Sequence, residues 1–184
     1  MPLLGATITA RVSDARGRVV NDAVVYAVPE GRPLPLARKT AVMDQRNRMF
    51  VPHVLPVQTG TAVHFPNSDD VRHHVYSFSA AKTFQLPLYK GRPANPELFD
   101  RAGVATLGCN IHDQMSAFIV VVDTPYFAKT ANGLAELADV DAGRYTIRVW
   151  YPDMRAEPQP RVVSLGASER LSLTFVTGRP HARP

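Results

Sequence analysis

Sixteen prolines in 184 residues, together with turn signals such as Asp14-Ala15-Arg16-Gly17 and Asn132-Gly133, cut this chain into short segments. Proline breaks helix interiors and is confined to the edges and ends of strands, so short strands joined by turns are the natural outcome. The hydrophobic pattern agrees. In Ile8-Thr9-Ala10-Arg11-Val12, Tyr145-Thr146-Ile147-Arg148-Val149 and Leu171-Ser172-Leu173-Thr174-Phe175 every second residue is apolar, the period of a half-buried strand. One brief helix is expected, at residues 96–100. The expectation is an all-β chain built of sandwiches, long enough for one large or two small domains.

Composition narrows the function. The formal charge is +5, but the basic residues are scattered and no basic helix or aromatic-interleaved stretch collects them. A nucleic-acid partner is therefore not expected, and the charge reads as a solvated surface that aids solubility or steers an acidic partner. The apolar run at residues 118–122 is far shorter than the ~20 residues a membrane-crossing helix needs, so no membrane span is expected. Residues 179–184, with Arg179, His181 and Arg183 between prolines, read as a flexible tail.

Chemistry concentrates around the single cysteine. It opens the run Cys109-Asn110-Ile111-His112-Asp113-Gln114-Met115, which spaces a thiolate, an imidazole and a thioether three residues apart. A lone cysteine is usually a small buried hydrophobe, and one methionine is usually core filler. His112, together with the pair His73-His74 in a separate segment, shifts the balance toward a metal. Zinc sites favour several cysteines or histidines, or a carboxylate, and a thioether suits zinc poorly. A nucleophilic Cys/His pair is disfavoured by the short loop closed by Met115. One thiolate, two imidazoles and a weak thioether form the trigonal set that holds copper between its two oxidation states, and one ion per chain is expected.

These residues carry a resemblance. The stretch 37–123 resembles a cupredoxin, the blue-copper family of amicyanin and plastocyanin, and its ligand loop with two residues in each gap is most similar to amicyanin's. Val57-Gln58-Thr59-Gly60-Thr61-Ala62-Val63-His64-Phe65 is similar to the family's strand, glycine turn and strand. Asn67 precedes His73 by six residues, as the family's Asn precedes its first ligand. Leu88-Tyr89-Lys90-Gly91 matches the turn after the paired strands, and Gly103-Val104-Ala105-Thr106-Leu107-Gly108-Cys109 the strand leading to the cysteine. Ala117-Phe118-Ile119-Val120-Val121-Val122 reads as the closing strand.

The resemblance implies His73, Cys109 and His112 as strong copper ligands, Met115 as the weak axial one, and Asn67 and His74 as supporting residues around them. His74 stands where the family usually has an Asn that ties the two ligand loops together. Neighbouring strand residues point to opposite faces, so normally only one of His73 and His74 reaches the metal, and spacing from Asn67 favours His73. A second metal at His74 with His53 or His64 is a further option. Asn67 is expected to help tune the Cys109 sulfur by hydrogen bonding. The implied function is one-electron transfer with His112 as the port, not an enzymatic activity. Redox proteins of unidentified kind would dock near Ile111, Asp113, Gln114, Pro66 and Lys90. The competing reading is a carrier or store of Cu(I) without redox cycling. The family's usual location implies a periplasmic or otherwise exported protein, in a chain that opens without a signal-peptide pattern.

The flanking segments are similar to another module. Residues 8–25, with residues 130–137 and 141–150, resemble the strands of a carboxypeptidase regulatory-like, transthyretin-like sandwich. The expected organisation is a cupredoxin domain at 37–123, an accessory sandwich from 1–36 with 124–178, and the tail.

Overall fold

The computed structural model of the chain describes residues 5–31, 33–93, 95–152 and 154–178; the tail expected at 179–184 lies outside them. Within the described residues there are seventeen strands and no helix. In chain order they are β1 (Ala6–Asp14), β2 (Val24–Pro29), β3 (Thr40–Val42), β4 (Asp44–Arg46), β5 (Met49–Val51), β6 (Val54–Gln58), β7 (Thr61–His64), β8 (His73–Ser79) and β9 (Lys82–Tyr89). The remainder are β10 (Glu97–Phe99), β11 (Gly103–Cys109), β12 (Ser116–Val122), β13 (Phe127–Lys129), β14 (Leu134–Val140), β15 (Gly143–Trp150), β16 (Arg161–Leu165) and β17 (Arg170–Thr177). The fold class is all-β. No helix among the described residues is long and apolar enough to cross a membrane.

The strands fall into two compact units, Met1–Leu34 with Tyr126–Pro184, and Pro35–Pro125. In the first, the sheets β14-β1-β17 and β13-β2-β15-β16 enclose one core. Strict alternation along β1 buries Ala6, Ile8, Ala10 and Val12. They pack in a cluster with Ala27, Tyr145, Ile147, Val149 and Phe175. The hairpin into β14 turns at Asn132 and Gly133, both at positive φ, as the Asn-Gly pair demands. At the far end of β1 the Asp14 carboxylate accepts the N–H groups of Arg16 and Arg18 and pairs with the Arg18 guanidinium at 2.7 Å, closing the turn.

The second unit holds the five-stranded sheet β6-β12-β11-β8-β9, the three-stranded sheet β10-β7-β3 and the hairpin β4-β5. Met43, Val63, Phe65, Val75, Phe99, Leu107 and Ile119 form its core. Each such side chain contributes about 1.5–3 kcal/mol by leaving water. The short helix expected at residues 96–100 is instead β10, because Glu97, Leu98 and Phe99 pair antiparallel with Val63, Ala62 and Thr61. Pairing with a neighbouring strand, and burial of Phe99, override a weak local preference. The incoming and outgoing chain of this unit meet at Thr59, whose carbonyl accepts the Ala37 N–H at 2.8 Å and whose N–H donates to Val122 O at 2.9 Å.

Two features brace this unit. Gly60 turns β6 into β7 at φ +94°, and a Cβ there would sit 2.6 Å from the Ala37 carbonyl oxygen. Tyr89, at the end of β9, donates its hydroxyl to Phe65 O at 2.8 Å and accepts from Gln45 Nε2. Burial, the largest influence, pushes its phenol up to about 12 against the opposing Gln45 bond.

Gly60→Ala is expected to lose about 1–3 kcal/mol through the strained turn, seen as faster amide exchange in β7 and β12. Tyr89 holds its proton more tightly folded than unfolded. Its contribution to stability is therefore complete below about pH 10, the ordinary tyrosine value, and is lost as pH rises toward about 12. Tyr89→Phe should remove one phenolate equivalent from the last part of an absorbance titration and flatten the alkaline fall in stability.

Candidate metal centre

The centre is assembled where β8 meets β11. Gly108 pairs with Tyr76 and Cys109 with Val75, which brings His73, two residues before Val75, alongside the end of the cysteine strand. The register shifts between His73/Tyr89 and Val75/Leu86, where β9 carries one extra residue opposite His74. Alternation along β8 continues through this point, so His73 is wholly buried while His74 is half-exposed. A Cβ at Gly108 would stand 2.6 Å from the end of the Tyr76 ring, so a larger residue there would oblige that ring to move.

After Cys109 the chain leaves the sheet in two tight turns. His112 N–H donates to Cys109 O at 3.4 Å and Met115 N–H to His112 O at 2.9 Å, after which β12 begins. This folding returns His112 to the cysteine. Cys109 Sγ lies 3.8 Å from His73 Nδ1 and 3.7 Å from His112 Nδ1, and the three donor atoms all lie within 4.8 Å of one another. Among the described residues they are the only such grouping. His53, His64 and His74 are not part of it.

The separations suit a metal. Bonds of about 2.3 Å to sulfur and 2.0–2.1 Å to nitrogen, spread at trigonal angles, place sulfur and nitrogen roughly 3.8 Å apart. Cys109 and Met115 are 4% and 2% exposed, so the sulfur atoms sit in a dry pocket, while His112 is half-exposed. The imidazole rings of His73 and His112 meet edge-on, 5.0 Å between centroids. A soft, buried donor set of one thiolate, two imidazoles and a neighbouring thioether fits copper better than it fits zinc.

The residues around the triad act differently from expectation. Asn67 directs Nδ2 to Val71 O and Tyr89 O, both at 2.9 Å, and its backbone N–H to Gly91 O at 2.7 Å. All three of its N–H groups serve carbonyls, so Asn67 shapes the loop before His73 and donates nothing to the Cys109 sulfur. His74 ties the two ligand segments through its main chain, its carbonyl accepting Asn110 N–H at 3.3 Å. Its ring Nε2 is buried without a partner among the described residues, and the ring lies edge-on to Tyr76.

One residue was not singled out by sequence reasoning. Asp69 Oδ2 lies 2.7 Å from His73 Nε2. The same carboxylate accepts the N–H groups of Asn47 at 2.5 Å and Arg48 at 2.9 Å, from the turn between β4 and β5. Burial, the largest single influence, raises the Asp69 carboxyl, but the bonds from Arg48, His73 and Asn47 together hold it below the ordinary carboxylate range. The available signal was an acid four residues before a candidate ligand. The turn itself gave none, because Asn47 and Arg48 adopt positive φ without a glycine.

No protein-family model and no curated protein matches the chain. Among solved structures it is similar to the copper-containing nitrite reductase of Thermus scotoductus SA-01, at 22% identity over 50% of this chain and 26% of that one, with a TM-score of 0.44. It is similar to a purple cupredoxin from Nitrosopumilus maritimus, at 21% identity over 45% of this chain and 99% of that one, with a TM-score of 0.39. A third similar structure is a reduced amicyanin mutant, at 22% identity, 55% and 100% coverage and a TM-score of 0.42. The structures this chain is similar to are thus cupredoxins and a copper enzyme, and in this chain a His-Cys-His triad sits close together.

Proposed function

We propose that this protein is a mononuclear copper protein that carries single electrons between redox partners, with one ion per chain. The observation that carries the reading is the convergence of His73 Nδ1, Cys109 Sγ and His112 Nδ1 within 4.8 Å in a buried pocket beside Met115. Copper bound there supplies a reversible one-electron change.

The chain's residues divide the remaining work. Cys109 would provide the thiolate and His73 and His112 the imidazoles, with the Met115 thioether as a weaker fourth donor. Strands β8 and β11 hold the ligands through backbone pairing, so the donors stay in place as the charge at the centre changes. His112, half-exposed beside the exposed Ile111, forms the port, and Asp113 and Gln114 ring it. Electron-transfer encounters need little buried surface, and this patch is of that kind. In this reading residues 37–123 are the copper domain and the flanking sandwich positions it or meets a partner. Export to the periplasm or beyond belongs to the same reading and rests on the resemblance alone.

A second reading, delivery of Cu(I), draws on one observation. Cys109 and Met115 are among the residues that line a cleft of about 320 Å³, together with Tyr76, Gly108 and Asp113, and such a cleft would be the approach for another protein's donor.

Addition of Cu(II) should produce an intense visible thiolate-to-copper band at one ion per chain. The band should bleach on reduction and return on oxidation over repeated cycles without loss of metal. Cys109→Ser should abolish it. Persistence of the band in that variant would overturn the assignment, and Cu(I) uptake that never yields the band on oxidation would favour delivery.

A further inference from the structure

The Asp69 carboxylate is part of a built arrangement. Its side chain is 9% exposed and that of His73 fully buried, so the 2.7 Å contact between them is shielded from water. An ionised carboxylate only accepts hydrogen bonds, so the proton of a neutral His73 ring sits on Nε2. That leaves Nδ1, the atom 3.8 Å from Cys109 Sγ, with a free lone pair. The carboxylate is itself fixed: Asn47 N–H binds Oδ1 and Arg48 N–H binds Oδ2, both from a turn whose two residues have φ of 51° and 58°. This turn is anchored in its own right, since Ser68 donates its hydroxyl to Asp44 and its N–H to Gln45 O at 3.0 Å.

We propose that Asp69 is a positioning residue for the centre: clamped by the Asn47–Arg48 turn, its carboxylate fixes the tautomer and direction of the His73 ring and strengthens Nδ1 as a donor, favouring the oxidised metal. The inference rests on the copper reading above and adds to it a determinant of the balance between oxidation states. Charge passed from a carboxylate through an imidazole raises ligand basicity, and such outer partners typically alter metal affinity 10–100-fold. The more highly charged ion gains more from a stronger, partly anionic donor.

Asp69→Asn keeps the shape and one acceptor oxygen but removes the charge. The expected result is a Cu(II) affinity reduced about tenfold more than the Cu(I) affinity. By the one-electron conversion this is a rise of about 59 mV in reduction potential. Ser68→Ala, which removes the hydroxyl bond to Asp44 and leaves the Asn47, Arg48 and His73 bonds to the Asp69 carboxylate in place, should lower thermal stability and leave the potential unchanged. An unchanged potential in Asp69→Asn with the visible band intact overturns the proposal, as does an equal shift in Ser68→Ala. Should Asp69→Asn fail to fold, nitrogen-15 spectra of the metal-free native chain decide: a His73 proton on Nε2 supports the proposal and one on Nδ1 overturns it. Absence of any thiolate-to-copper band in the native chain would instead defeat the copper reading, while the tautomer measurement would still test the Asp69 clamp.

Discussion

The pairing of Cys109 with Val75 across two antiparallel strands is the interaction on which the centre depends. His73 and Cys109 are distant in sequence, and only this register sets their donor atoms side by side. Strand side chains alternate between faces, so a slip of one residue would present His74 to the cysteine and expose His73. The register is held by what lies on the buried face: Val75 and Ser77 are fully buried, Leu107 is 1% exposed, and all three point to the interior between the sheets. The ligands are therefore placed by core packing, and the energy that folds the unit is the same energy that orients the donors.

Much of this was legible because strands and metal sites leave local marks. Alternation at residues 8–12, 145–149 and 171–175 falls within β1, β15 and β17, and the Asn132-Gly133 signal is a positive-φ hairpin turn. The closeness of Cys109 and His112 reads directly, since both lie in one short loop. What stayed hidden depends on contacts between separate segments. Residues 96–100 carry no strand pattern of their own and become extended by pairing with β7. The β4-β5 hairpin lacks a glycine, so its turn could not be seen, and with it the clamp on Asp69 was invisible. The role assigned to Asn67 was misplaced for a similar reason: which acceptor a side-chain amide finds depends on where Val71, Tyr89 and Gly91 fold.

The proposed role requires a centre that resists rearrangement, and rigidity here is distributed. Backbone pairing fixes Cys109, two consecutive turns fix His112 and Met115, and hydrogen bonds reach His73 from outside the sheet through Asp69. The main-chain bond between His74 and Asn110 joins the two ligand segments independently of any side chain. The linkage between the two segments therefore does not depend on the His74 ring. Different physical devices hold each donor, so no single failure frees them all.

The meeting of the incoming and outgoing chain at Thr59 has an architectural consequence. A folded body whose two ends leave from one residue asks of its host only a pair of neighbouring attachment points. A unit joined in this way interrupts its host at a single point and need not stretch it.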